Sequence, residues 1–186
     1  MRILMLGNSL TSSHELPQLL AKLTGAHVEA ITRGGARLSE FANPATKSGA
    51  ATKVALGNNW DFVILQDMSH LPASNPQRHA ENVATLAILA REAGATPVVY
   101  ATWAYQPGTP RLTKLFSSYE EMAARMIAGA REAARASEAL LIPVGQAFYD
   151  AADPSLYAAD GIHPSAAGAQ LAARMIAATL LEASMP

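Results

Sequence analysis

The sequence predicts an α/β domain in which helices cover both faces of a five-stranded parallel sheet. Three observations carry this. Short apolar runs alternate with longer segments of helical period along the chain. One run, Phe62-Val63-Ile64-Leu65, is apolar at four successive positions, the pattern of a strand buried on both faces. The 186 residues, 50% hydrophobic and 16% charged, suit one domain, 1–186, with a substantial core, and are too apolar for a disordered chain.

The elements follow in order. Residues 2–6 read as the first strand: the apolar run is too short for a signal-peptide core and ends at Gly7-Asn8-Ser9, which puts the domain start at residue 1 or 2. Residues 15–24 read as a helix stopped by Gly25, and 28–31 as a second strand followed by Thr32-Arg33-Gly34-Gly35. The Ala/Thr/Lys-rich segment 44–56 reads as helix, closing at Gly57-Asn58-Asn59, and 61–66 as the third strand. Asn75-Pro76 supplies an N-cap and an N1 proline, so a helix runs from there to about residue 93, with Gly94 as its C′ residue. Its inner stripe is read as Ala80, Val83, Ala84, Ala87 and Ile88. Residues 96–102 form the fourth strand. Apolar residues from Leu112 to Ile127 at helical spacing predict one long helix over 111–137. A fifth strand over 140–144 and a terminal helix over 164–183 complete a three-layer α/β/α sandwich. At this size the flavodoxin-like strand order 2-1-3-4-5 is expected.

Several function classes lose their support. Fourteen basic against fifteen acidic residues give a net charge of -1, with no basic excess for nucleic acid or an anionic membrane. The absence of cysteine excludes disulfides, thiolate zinc sites and cysteine nucleophiles. No stretch approaches the about 20 apolar residues of a membrane span, and without a leader a cytoplasmic location follows by default, or a secreted one if a leader was trimmed. The five histidines, His14, His27, His70, His79 and His163, show no metal-ligand spacing, and no phosphate-binding glycine loop follows the first strand. No metal and no cofactor are expected.

Ligands of such sheets sit outside the carboxyl ends of the strands, so the residues there carry the functional reading. Ser9 stands on the turn after the first strand. It reads as a nucleophile or as an N-cap for the following helix. Asp160-Gly161-Ile162-His163-Pro164 stands before the last helix. A serine hydroxyl needs a base, a histidine has the right pKa for one, and an aspartate three residues earlier can fold back to orient the ring. The same five residues also read as a surface turn; the serine at the other end of the chain tips the balance toward chemistry. A tetrahedral oxyanion needs preorganised donors. The backbone N–H groups of Ser9 and Gly35 and the carboxamide of Gln66 are candidates, although Gln66 also reads as a polar plug for loop backbone. Asp67, His70 and Trp103 are candidate substrate contacts; for Trp103 a place in the core is the alternative.

These blocks resemble those of the SGNH, or GDSL-type, hydrolases. Gly7-Asn8-Ser9-Leu10 stands for the nucleophile block, Gly35 for the oxyanion glycine and Asp160-Gly161-Ile162-His163 for the Asp-x-x-His pair. The third block departs: it reads Leu65-Gln66-Asp67-Met68 in place of Gly-x-Asn-Asp, and the oxyanion amide is carried to Gln66. The resemblance implies a Ser9-His163-Asp160 triad and an esterase acting through an acyl-enzyme on a small ester, acetyl above long chains. A non-catalytic carbohydrate or small-ligand module on the same fold, or an acyltransferase using the same triad, is the alternative.

Overall fold

The computed structural model describes residues 1–185. Five strands, β1 Arg2–Gly7, β2 His27–Thr32, β3 Phe62–Leu65, β4 Thr96–Tyr100 and β5 Leu140–Ile142, form one sheet in the order β2-β1-β3-β4-β5. All pairings are parallel, with Ile3 opposite both Val28 and Phe62, and Val98 opposite both Ile64 and Leu140. The strand order is the expected one.

The helices are α1 Ser9–Ser12, α2 Leu16–Thr24, α3 Leu38–Ala42, α4 Lys47–Ala55, α5 Leu71–Ser74, α6 Pro76–Glu92, α7 Pro110–Leu115, α8 Tyr119–Ala136, α9 Val144–Ala151 and α10 Ala166–Ala183. Strand side chains alternate between the two faces, and both faces are covered. Ile3, Met5, Ile64 and Val98 pack with Leu16 and Leu20 of α2, Phe148 of α9 and Ile176 of α10. Leu4, Leu6, Val63 and Leu65 pack with Phe41 of α3, Val83 and Leu86 of α6, and Ala133 of α8. Each such aliphatic side chain contributes about 1.5–3 kcal/mol on burial, so a one-residue slip of β1 gains nothing: both faces demand apolar residues. Only β2, at the edge, is largely exposed, and it carries the His27–Glu29 contact at 2.8 Å. Among the described residues no helix is long and apolar enough to cross a membrane.

Four local readings change. The long helix expected over 111–137 is two helices. Phe116 turns extended, and Ser118 caps α8 by accepting the Glu121 N–H at 3.1 Å, while the Glu121 carboxylate takes the Ser117 N–H at 2.8 Å. This Ser-x-x-Glu spacing is a helix start written inside a continuous apolar stripe. The fifth strand ends at Ile142, because Pro143 turns the chain and Val144 opens α9. The fourth strand ends at Tyr100, and residues 101–105 continue as buried irregular chain. On α6 the buried face is rotated: Ile88 is exposed, and His79 and Asn82 point inward with Val83, Leu86, Ala87 and Ala90. Two polar residues on an inner face defeat an apolar-stripe reading, and their partner lies at the end of β3.

Candidate active site

Ser9 begins α1, directly after β1. Asn8 caps that helix, its side-chain oxygen accepting the Leu10 N–H at 3.1 Å, and its amide donates to the carbonyls of Ala36 and Asp67 at 3.1 and 3.2 Å. The residue before the serine therefore ties together the loops after β1, β2 and β3. Gly7 is obligatory here: a Cβ would run into Thr11 Oγ1 and Gln66 Oε1.

The Ser9 Oγ lies 2.9 Å from His163 Nε2, and His163 Nδ1 lies 2.6 Å from Asp160 Oδ2. Asp160 Oδ1 accepts the backbone N–H groups of Ile162 and His163, both at 2.9 Å. With the carboxylate as acceptor the Nδ1 carries the proton, and Nε2 is left to accept the serine hydroxyl proton. Serine, histidine and aspartate thus form one hydrogen-bonded chain across a sequence separation of 154 residues.

Burial pushes the Asp160 pKa up. The bonds from His163 and from the backbone of Ile162 and His163 outweigh it and hold the carboxyl below its ordinary range. A depressed carboxyl pKa contributes stability that is complete above the unfolded value, about pH 4, and lost as the pH falls through the lower folded value. Wild type and Asp160→Asn should accordingly differ in stability at neutral pH and converge on acidification below about pH 4. Urea titrations of both proteins across that range check this; a difference that grows on acidification contradicts it.

The loop bearing Asp160 and His163 is held from below. The Trp103 indole N–H donates to the Ile162 carbonyl at 3.0 Å, and its ring stacks on Phe148 at 4.0 Å. The His14 ring contacts the Pro164 carbonyl at 3.2 Å, from a segment in which His14 and Glu15 both adopt left-handed backbone. The Gln106 N–H donates to the Gly161 carbonyl at 2.8 Å, and Gly161 has φ 64° with Thr109 and Gln106 so close that a side chain is excluded.

Three of the residues expected to meet the reaction or the substrate are placed elsewhere. Gln66 is 1% exposed: its oxygen accepts the Asn8 N–H and the Thr11 hydroxyl, both at 2.9 Å, and its amide donates to the Asp67 carbonyl. The extra methylene lets the carboxamide reach under the nucleophile turn, where it braces Asn8 and Thr11 rather than offering a donor to the crevice. Asp67 is 4% exposed and is the hub of a buried network. Its carboxylate accepts the N–H groups of Leu38 and Met68 at 2.9 and 2.8 Å and lies 3.1 Å from His79 Nδ1 and 3.2 Å from Asn82 Nδ2. Trp103 is 2% exposed and lines core, not crevice.

Of the remaining candidates, Gly35 occupies the turn after β2 with φ 67°, and among the described residues neither its N–H nor that of Ser9 has a hydrogen-bond partner. His70, half-buried, lies 3.1 Å from the Tyr105 hydroxyl, which also contacts Ser69 Oγ at 2.8 Å. Thr11, His79 and Asn82 gave no sequence signal for their roles, since a threonine in a turn and two polar residues on a helix have no preferred partner until the loops meet.

A parallel 2-1-3-4-5 sheet with a serine on its first strand-end turn is the architecture of the SGNH hydrolases. The chain belongs to the GDSL-like lipase/acylhydrolase family, whose pattern matches residues 5–171. It is similar to a protein of Slackia heliotrinireducens described as an SGNH hydrolase, at 50% identity over 97% of this chain and 98% of that one, with a TM-score of 0.94. The fold is shared with a DUF4886 family protein of Bacteroides uniformis (18% identity, 98% of this chain and 83% of that one, TM-score 0.77). It is shared also with a catalytic mutant of an acetylxylan esterase of Geobacillus stearothermophilus (15% identity, 96% and 93%, TM-score 0.65). No curated protein matched the chain.

Proposed function

We propose that the chain, working as one domain, is a serine esterase that removes short acyl groups, acetyl above all, from a carbohydrate or another small molecule. The observation behind this is the hydrogen-bonded chain Ser9 Oγ, His163 Nε2, His163 Nδ1, Asp160 Oδ2. His163 takes the hydroxyl proton as Ser9 Oγ attacks the ester carbonyl, and Asp160 holds the ring in the required tautomer and stabilises the imidazolium. The oxyanion is met by Ser9 N–H and Gly35 N–H, two backbone donors without partners among the described residues. His163 then gives its proton to the leaving alcohol, and water activated by the same ring releases the acid. The braced turn beneath Ser9 supports this reading: Asn8, Thr11 and Gln66 cost nothing to rearrange at the moment of attack because their bonds are already made. The short acyl preference rests on the compact loops at the strand ends, which among the described residues add no lid domain, and on the fold shared with an acetylxylan esterase.

A fluorophosphonate tests the nucleophile directly. Incubation at neutral pH followed by intact-mass and peptide mass spectrometry should find one phosphonyl group, on Ser9, and none on the Ser9→Ala protein. A wild-type protein that stays unlabelled under conditions that label a control serine esterase points instead to a non-catalytic ligand-binding module.

A further inference from the structure

One buried imidazole has no part in the triad and leaves half of its polar capacity unused. His79 of α6 is 2% exposed. Its Nδ1 lies 3.1 Å from Asp67 Oδ2, and with a carboxylate as acceptor Nδ1 carries the proton. Its Nε2 is closed off from solvent and, among the described residues, has no hydrogen-bond partner. A buried nitrogen without a partner destabilises the fold in a way that a leucine of similar volume would not. What the imidazole adds against that is its single bond to Asp67. Asn82, three residues further along α6, brings a second donor to the same Oδ2 at 3.2 Å.

The other oxygens of Asp67 are turned to the loops that carry Gly35 and Ser9. Its Oδ1 accepts the Leu38 N–H at 2.9 Å and the Met68 N–H at 2.8 Å. Leu38 opens α3, three residues after Gly35. Ala36, next to Gly35, gives its carbonyl to Asn8 Nδ2 at 3.1 Å, and the same amide donates to the Asp67 carbonyl at 3.2 Å. The chain is thus pinned just after Gly35, at Ala36 and at Leu38, both fully buried. Both pins lead to Asp67, one through its carboxylate and one through Asn8, the residue before Ser9. The terminal torsion of an aspartate is soft, so Oδ1 stays aimed at Leu38 only while Oδ2 is held. His79 and Asn82 hold it from the side of α6.

We propose that His79, with Asn82 beside it, is a positioning residue for the oxyanion hole: by holding Asp67 Oδ2 it keeps Oδ1 on the Leu38 N–H, and so fixes the Gly35 N–H against the turn that bears Ser9. The use made of the Gly35 N–H rests on the esterase reading. That His79 sets the position of its loop does not, and is tested without turnover. Removing one oxyanion donor lowers kcat by about 10²- to 10³-fold, so a donor that is displaced and not removed should lower it by less.

Three variants separate positioning from mere stability. His79→Leu removes the donor and keeps the volume, and His79→Asn returns an amide N–H close to where the Nδ1–H stands. Val83→Ala, on the same helix with its side chain in the apolar core, controls for lost stability alone. With p-nitrophenyl acetate, at a temperature where all are folded, His79→Leu should lose about tenfold in kcat with KM within about twofold of wild type. His79→Asn and Val83→Ala should both keep kcat within about threefold. A His79→Leu kcat within about twofold of wild type, a loss confined to KM, no recovery in His79→Asn, or an equal loss in Val83→Ala overturns the proposal. In parallel, amide hydrogen exchange is followed by NMR. The Leu38 N–H of His79→Leu should exchange at least about tenfold faster than in the wild type, relative to the amides of β4, and His79→Asn should restore it. An unchanged Leu38 amide, or an acceleration shared equally by the sheet, overturns the positioning role. If His79→Leu does not fold, Asn82→Leu, which removes the second donor to Oδ2, is held to the same expectations. If the wild type cleaves no ester, the esterase reading has failed, and the Leu38 amide alone decides whether His79 sets the loop.

Discussion

The Ser9→Ala protein is expected to lose about 10⁴- to 10⁶-fold in kcat for p-nitrophenyl acetate, the scale seen when a nucleophile is removed from a cooperating serine-histidine-aspartate set. The hydroxyl makes its one side-chain hydrogen bond to His163, while the Ser9 carbonyl continues to accept the Ser13 hydroxyl at 2.6 Å and α1 keeps its Asn8 cap. Nothing that holds the fold is removed, so circular dichroism and urea denaturation should be unchanged. The wild type should also hydrolyse the acetate more efficiently than p-nitrophenyl octanoate. A Ser9→Ala protein within tenfold of the wild-type kcat would sink the nucleophile assignment, and an octanoate preference would sink the short acyl pocket while leaving Ser9 in place.

The second large effect is on stability. Asp67→Ala should cost about 3–5 kcal/mol of unfolding free energy, the range for stripping a buried charge from its partners. Four donors, the N–H groups of Leu38 and Met68 and the side chains of His79 and Asn82, would lose their acceptor in a site that is 4% exposed. Each donor left alone costs about 1–3 kcal/mol, less what relaxation and entering water recover. Asp67→Asn should recover part of the loss, since its remaining oxygen still accepts from Leu38 and Met68. Urea denaturation with linear extrapolation measures both. A loss below about 1 kcal/mol for Asp67→Ala would mean that the network is not what joins α6 to the loops after β2 and β3.

These two residues also mark how far a linear reading reaches. Asp160 and His163 lie three apart across a glycine, so their contact is local and legible, as are the Asn75 cap on α6 and the left-handed Gly94 after it. The sheet is legible for a related reason: a strand buried on both faces must be apolar at every position, and β1, β3 and β4 nearly are. The break between α7 and α8 is written locally too, in Ser118 and Glu121, but an unbroken apolar stripe covers it.

By itself the sequence carried the α/β class and the local contact of Asp160 with His163, because backbone propensity, apolar period and short-range hydrogen bonding act over a few residues; the strand order was expected from the size and class of the fold, not from any local signal. Only the tertiary structure decided that Ser9 and His163 meet across 154 positions, that Gln66 braces the nucleophile turn, that Asp67 anchors α6 and that Trp103 props the histidine loop. A polar side chain at a strand end has the same chemistry whether it faces a crevice or a neighbouring loop. Which it faces is set by the position of the other loops, and that follows from how β1, β2 and β3 stack side by side in the folded sheet.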